Sequence, residues 1–248
     1  MSENAESTLV FVDMLGFAAQ TERCPTQTVS GPGSSETSET SNKFGTFQRA
    51  LDKCIFEQGL NGGVQAMLFS DCAFLNFGNS LRVSRVAIDL MRQFILAKVA
   101  VRMGIGKGTF YLRQCSNEFS DSATIARALF FGTAVVRAHH AERGGKGLRI
   151  FLHPSVELDE CSIKVLPLSS PSTYANRELN FLYEPMPVDR HPPVSYYDRR
   201  LFDEVYNMKD LAPEEEHIQY TETTDAMNRM RKQYTRDELI DLKAPSPQ

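Results

Sequence analysis

Apolar residues in this chain fall into short runs and helical stripes, and the order of the two predicts the elements. Leu9-Val10-Phe11-Val12 reads as a buried strand, because β-branched and aromatic residues suit a pleated, covered surface. An amphipathic stretch, Phe17 to Arg23, follows. Residues 24–42 are rich in Ser, Thr and Gly, too polar to bury a core, and are expected to form a flexible loop. Phe44, Phe47, Leu51, Cys54 and Ile55 recur at helical spacing and predict a helix from Lys43 to Gln58, ended by Gly59 and Asn61-Gly62-Gly63. Val64 to Ser70 and Cys72 to Phe77 predict the two strands of a hairpin with Asp71 near its tip. Leu81 to Ala100 reads as a long helix and Val101 to Leu112 as a strand interrupted by Gly104, Gly106 and Gly108. Thr133 to Glu142 is expected as a helix stopped by Gly144-Gly145, and Leu148 to Leu152 as a strand.

That order, β-α-β-β-α-β-α-β, contains a split βαβ core and predicts an α+β, ferredoxin-like fold with an antiparallel-rich central sheet. The N-terminal residues 1–7 are polar and 8–152 form the expected catalytic domain. From Pro154 the pattern becomes irregular and proline-rich, apart from a helix expected around Thr223 to Gln233. Residues 153–248 are therefore read as a C-terminal extension, packed on the core or used in association.

Composition narrows the classes of function. A chain of 248 residues with 42% hydrophobic content can bury one large domain. A formal charge of −4 and a pI near 5.8 argue against a polyanion binder, so no nucleic-acid partner is expected. No run reaches the ~20 apolar residues of a membrane span, and the acidic N-terminus is no signal peptide. The five cysteines (Cys24, Cys54, Cys72, Cys115, Cys161) show no Cys-x-x-Cys pair. That pattern fits reduced thiols and a cytoplasmic location.

The chemistry sits at two strand ends. Asp13 closes the first apolar run, and Asp71 follows Met67-Leu68-Phe69-Ser70 at the hairpin tip. A carboxylate in such a place must be paired, hydrogen-bonded or metal-bound, because an isolated buried charge is too costly. An Asp after a strand can also cap a helix. Two such acids brought together would suit Mg²⁺ or Mn²⁺, which prefer oxygen ligands, and would point to phosphoryl transfer.

Four segments, in order, resemble the class III nucleotide cyclases. Phe11-Val12-Asp13-Met14-Leu15-Gly16-Phe17 resembles that family's first strand and turn with its metal-binding aspartate. Phe69-Ser70-Asp71-Cys72-Ala73-Phe74 resembles the hairpin with the second aspartate, and Arg102 to Gly108 the glycine-containing strand. Phe131 to Glu142 resembles the late helix that supplies transition-state residues. The departures are specific. Val136 and His140 stand where the family's helix presents an Asn and an Arg, and the purine-reading positions hold Met67 and Leu129. In this the chain resembles the bacterial Pycsar-type pyrimidine cyclases of anti-phage defence, as it does in a Tyr220-Thr221-Glu222-Thr223 segment taken as a helix start.

The resemblance implies cyclisation of UTP, ahead of CTP, with Mn²⁺ or Mg²⁺, two per site. Asp13 and Asp71 would hold both metals, with the Met14 carbonyl as a further ligand. Backbone N–H groups of Leu15, Gly16 and Phe17 would cradle the β- and γ-phosphates. Arg137 and His140 would meet charge on the α-phosphate, or else lie on a solvated helix face. Arg49 and Phe47 would read and stack on the base, although a Phe in this setting is more often a core residue. Lys107 would reach phosphate or pair with an acid. A homodimer is implied, one protomer giving the aspartates and its partner the late helix. Two other readings remain: a catalytically dead nucleotide-binding sensor, and a palm-type nucleotidyltransferase that joins separate nucleotides.

Overall fold

The computed structural model describes residues 6–17, 39–59, 64–78, 82–119, 123–158, 164–168, 170–182 and 195–241. Its elements, in chain order, are β1 (Glu6–Met14), α1 (Glu39–Gly59), β2 (Gln65–Leu68), β3 (Cys72–Asn76), α2 (Val83–Leu96) and β4 (Val101–Thr109). There follow β5 (Tyr111–Phe119), β6 (Ala123–Phe131), α3 (Thr133–Glu142), β7 (Ile150–Leu152), β8 (Val165–Pro167) and β9 (Arg177–Leu179). Last come α4 (Ser195–Leu211), a 3₁₀ turn (Glu214–Glu216) and α5 (His217–Asp241).

Seven strands form one sheet in the order β2-β3-β1-β4-β7-β9-β8, and β5 and β6 form a separate two-stranded arm. Only the β4–β7 pair is parallel; the other pairs are antiparallel. This is the α+β, antiparallel-rich architecture expected from the element order. The amphipathic stretch from Ala18 to Arg23 and most of the expected 24–42 loop lie outside the described residues. The helix begins earlier than expected, with residues 39–42 already inside α1.

Strand alternation divides the core in two. Val10, Val12 and Met14 of β1 face the main cluster, together with Leu51 of α1, Phe94 of α2, Val205 of α4 and Met227 and Met230 of α5. Leu9 and Phe11 face the other way, against Ala134 and Ala138 of α3. Among the described residues, four helices thus cover one face of the sheet, and the ten-residue α3 is the helix on the second. Apolar surface remains uncovered beside that second face: Phe69 and Val136 are exposed, as are Tyr111, Leu129 and Phe131 of the β5–β6 arm.

Residues after Leu152 are part of the same core. Strand β9 pairs with β7, and β8 with β9. The Thr223 hydroxyl of α5 accepts the Leu148 N–H at 2.8 Å, and Arg149 and Arg229 both bind the fully buried Glu178. The α5 helix starts at His217, so Tyr220 and Thr223 are interior helical residues and do not begin the helix.

The position of α3 depends on Gly104, Gly106 and Gly108, which alternate along β4 on the face that α3 covers. A Cβ at Gly104 would lie 2.1 Å from the Ala138 carbonyl oxygen and 2.3 Å from the Glu142 nitrogen, and one at Gly106 would lie 2.4 Å from the Ala138 nitrogen. These neighbours are backbone, so they cannot rotate aside. Gly104→Ala is expected to cost about 1–3 kcal/mol or more in chemical denaturation; an unchanged midpoint would show that α3 can lift from the sheet freely.

Candidate active site

Asp13 is the last but one residue of β1, and its register neighbours are Cys72 of β3 and Arg102 of β4. Alternation puts all three on the face covered by α3. Asp71 stands beside them in the turn of the β2–β3 hairpin. The Phe69 N–H donates to the Cys72 carbonyl (2.9 Å) to close that turn, and the Met14 N–H donates to the Asp71 carbonyl (2.8 Å), tying the turn to β1. The Ser70 hydroxyl donates to an Asp71 carboxylate oxygen at 3.0 Å. Two backbone bonds and one register therefore bring the two acids to a common place, as their sequence setting suggests.

A third acid completes the local field. Glu142, the last residue of α3, is 3% exposed and is ion-paired with Arg102, whose guanidinium also donates to the Gly145 carbonyl at 3.2 Å. Asp13 is pushed up to about 6, first by burial and then by the charge of Glu142; Asp71 adds to the rise, while Arg102 and Arg143 oppose it. The Cys72 thiol senses the same surplus of negative charge and is pushed up to about 11, with burial the largest cause. Such a place favours a cation. The donors are carboxylate oxygens, which match Mg²⁺ or Mn²⁺ rather than a softer metal. Among the described residues no group of three or more His, Cys, Asp and Glu forms a complete metal cage, so a metal here would take further oxygens from backbone, water or substrate.

The remaining expected site residues divide sharply. Gly16 turns the chain after β1 with φ +74°, a conformation that favours glycine. The Leu15 N–H, however, donates to the Ala100 carbonyl at 2.8 Å. It is spent on the fold and is not free for a phosphate, so the expected cradle of Leu15, Gly16 and Phe17 loses that donor. Phe47 is fully buried and stacked on Phe94, with centroids 5.4 Å apart; it is a core residue and cannot stack on a base. Arg49 is exposed on α1 and donates to the Thr46 hydroxyl at 2.9 Å. Lys107 alternates to the face away from Asp13 and pairs with Glu6 (3.2 Å) and Glu157 (3.6 Å). Its ammonium serves those acids.

Arg137 packs over Gly106 and Gly108 and donates to the Lys107 carbonyl at 2.7 Å. That point lies five strand residues beyond Arg102, about 17 Å along β4. The His140 ring meets Tyr174, with centroids 4.5 Å apart. His153 is held below its ordinary value by burial and then by the charges of Arg137 and His140, so these three groups share one region. Neither Arg137 nor His140 is among the charges that move Asp13. Within one protomer the two halves of the expected site do not meet. Of the positions expected to read a base, Met67 is buried and Leu129 is exposed; Val136, at the place of the family's Asn, is exposed too.

The Arg102–Glu142 pair was not anticipated from the sequence. Its signal is visible in hindsight: Arg102 shares the parity of the three glycines and so faces the helix that ends in Glu142.

No protein-family model matches the chain, and no curated protein sequence matches it. Solved structures do. The dimeric guanylyl cyclase domain of the RhoGC fusion protein from the aquatic fungus Blastocladiella emersonii superposes with a TM-score of 0.50 at 14% identity, over 72% of this chain and 97% of that one. The guanylate cyclase domain of RhGC from Catenaria anguillulae, solved with GTP, gives 0.50 at 13% identity over 72% and 96%. Adenylate cyclases from Trypanosoma brucei, in a monomeric state, give 0.51 at 13% identity over 77% and 93%. The chain has the class III nucleotide cyclase fold.

The crowded acids make a prediction about the metal-free protein. Asp13 binds its proton more tightly in the folded protein than at the ordinary carboxylate value of 3.8. The fold should therefore gain stability as pH falls from neutral through about 6, the gain levelling off below the unfolded value. Asp13→Asn should raise the neutral-pH melting temperature in EDTA and abolish that gain. A lower melting temperature for the variant would refute the repulsive field described here.

Proposed function

We propose that the protein is a nucleotidyl cyclase that converts a pyrimidine nucleoside triphosphate, UTP ahead of CTP, into its 3′,5′-cyclic monophosphate and pyrophosphate. The observation that carries this reading is the Asp13–Asp71 pair, two adjacent acids in a negative field on a class III cyclase fold. In the reaction the ribose 3′ oxygen forms a bond to the α-phosphorus, the bond to the pyrophosphate oxygen breaks, and the 3′ proton is lost. Mn²⁺ or Mg²⁺, two per site, would acidify the 3′-hydroxyl and neutralise the triphosphate. Asp13 and Asp71 would hold them, with the Met14 carbonyl as a further oxygen. The turn at Gly16 would orient the terminal phosphates.

The charge that develops on the α-phosphate needs a donor, and Arg137 is the candidate, with His140 beside it. The span along β4 supports a homodimer in which Arg137 of one protomer serves the aspartates of its partner. Exposed Phe69 and Val136 on that side, with Tyr111, Leu129 and Phe131 of the β5–β6 arm, support it too, since large apolar patches seldom stay wet. Two-fold symmetry then makes two equal sites. The pyrimidine preference rests on apolar Met67 and Leu129, which offer a purine edge no hydrogen bonds, and on Val136 in the place of the family's Asn. The defence role goes with a pyrimidine product and rests on the resemblance alone.

Val136 favours a second reading, since an exposed apolar residue in the place of the family's Asn fits a nucleotide-binding sensor without turnover. Incubation with Mn²⁺ and each of the four ribonucleoside triphosphates, followed by product masses, separates the two. Cyclic UMP is the expected product. No product from any triphosphate in a folded dimer would favour the sensor. Mixing Asp13→Ala with Arg137→Ala protein should restore part of the activity that each lacks. Failure of that mixture, with mixed dimers formed, would rule out catalysis across the interface.

A further inference from the structure

Arg102 faces Asp13 across the sheet and yet is bound elsewhere. The two are register partners on β4 and β1, and directly opposed side chains of an antiparallel pair start about 5 Å apart at Cβ. An arginine so placed has the reach to form charge-assisted bonds with the aspartate. Its donors are taken instead. Nε and Nη2 of the guanidinium are both engaged by the Glu142 carboxylate, and Nη1 donates to the Gly145 carbonyl at 3.2 Å. All three nitrogens are thus held, and among the described residues no hydrogen bond or ion pair joins Arg102 to Asp13.

Glu142 sits where an acid is disfavoured twice. It ends α3, at the negative pole of the helix dipole, and it is almost fully buried. Its backbone is fixed, because α3 lies directly on Gly104 of β4. The carboxylate therefore cannot follow a guanidinium that swings, and the pair keeps one geometry. That geometry turns the negative end of the pair toward the acids: after burial, Glu142 is the largest influence on Asp13, ahead of the opposing Arg102. Neutralising Arg102 would not by itself require Glu142, since Asp13 lies opposite.

We propose that Glu142 is a positioning residue that keeps Arg102 off Asp13 and so leaves the aspartate open to a divalent cation. This rests on the reading of Asp13 and Asp71 as metal ligands. Without Glu142 the guanidinium would turn to Asp13, place a fixed positive charge where the metal belongs, and close the site from within. The strand-end acids attract the cation, while Glu142 holds back the rival that the sheet itself supplies.

The test is a titration with Mn²⁺ alone, followed by the electron paramagnetic resonance signal of the free ion, on the wild type, Glu142→Met, Arg102→Met and the double variant. Glu142→Met should weaken Mn²⁺ binding by about tenfold or more, the least that a cation beside a carboxylate does to its proton affinity. In the Arg102→Met background the same substitution should weaken it by no more than about threefold, because no guanidinium is left to swing. Equal losses in the two backgrounds would mean that Glu142 acts through its charge alone and would overturn the proposal. No loss in the single variant, or no Mn²⁺ binding by the wild type, overturns it too. The double variant should fold, since apolar side chains of like size often replace a buried ion pair without loss. Glu142→Gln, run through the same cycle, covers poor folding of the single Met variant. The titration needs no turnover. A Glu142-dependent Mn²⁺ affinity in a protein that makes no cyclic nucleotide would sink the cyclase reading and leave this one standing, and active enzyme with equal losses would do the reverse.

Discussion

The structure depends on a helix lying directly on a strand. Gly104, Gly106 and Gly108 leave no side chains between β4 and α3, so the α3 backbone comes to rest where Cβ atoms would otherwise be. That contact fixes both ends of the helix at once. At one end Glu142 is carried to Arg102 and to the aspartates; at the other Arg137 is set over the far part of β4. A thicker seam would move the acid away from Asp13, relax the field that favours a cation, and let Arg102 seek another partner. The electrostatics of the site are thus a consequence of backbone packing.

Much of this was legible in the chain. The β1 run, the β2–β3 hairpin, α1, α2 and the bounds of α3 follow from the spacing of apolar residues: β1, covered on both faces, reads as an unbroken run, and the helices show a helical repeat. The aspartate pair was legible for the same reason, since an acid at the end of an apolar run stands out. The β5–β6 arm was missed, because the residues from Tyr111 to Phe131 carry no clean alternation of apolar and polar types. Helix α4 was missed differently. Leu201, Val205 and Met208 have helical spacing and are buried, but the prolines before them drew the whole region into an irregular reading.

The binding residues were less legible because local sequence does not say which face a side chain serves. Phe47 and Lys107 are types that suit a nucleotide, and both are taken up by the fold, one by Phe94 and the other by Glu6 and Glu157. Leu15 shows the same limit at the backbone, where its N–H completes a bond to Ala100.

Strand β9, wedged between β7 and β8, and the bond from Leu148 to Thr223 have a consequence for biosynthesis. The amide of Leu148 finds its partner 75 residues later in the chain, and the main cluster closes only with Met227 and Met230. On the ribosome, strands β1 to β4 can pair long before then, but that apolar face must wait covered only by α1 and α2, and β7, once made, waits as a bare edge. Translation, not diffusion, sets the earliest moment at which this core is sealed, and the waiting intermediate is the form most in need of a chaperone.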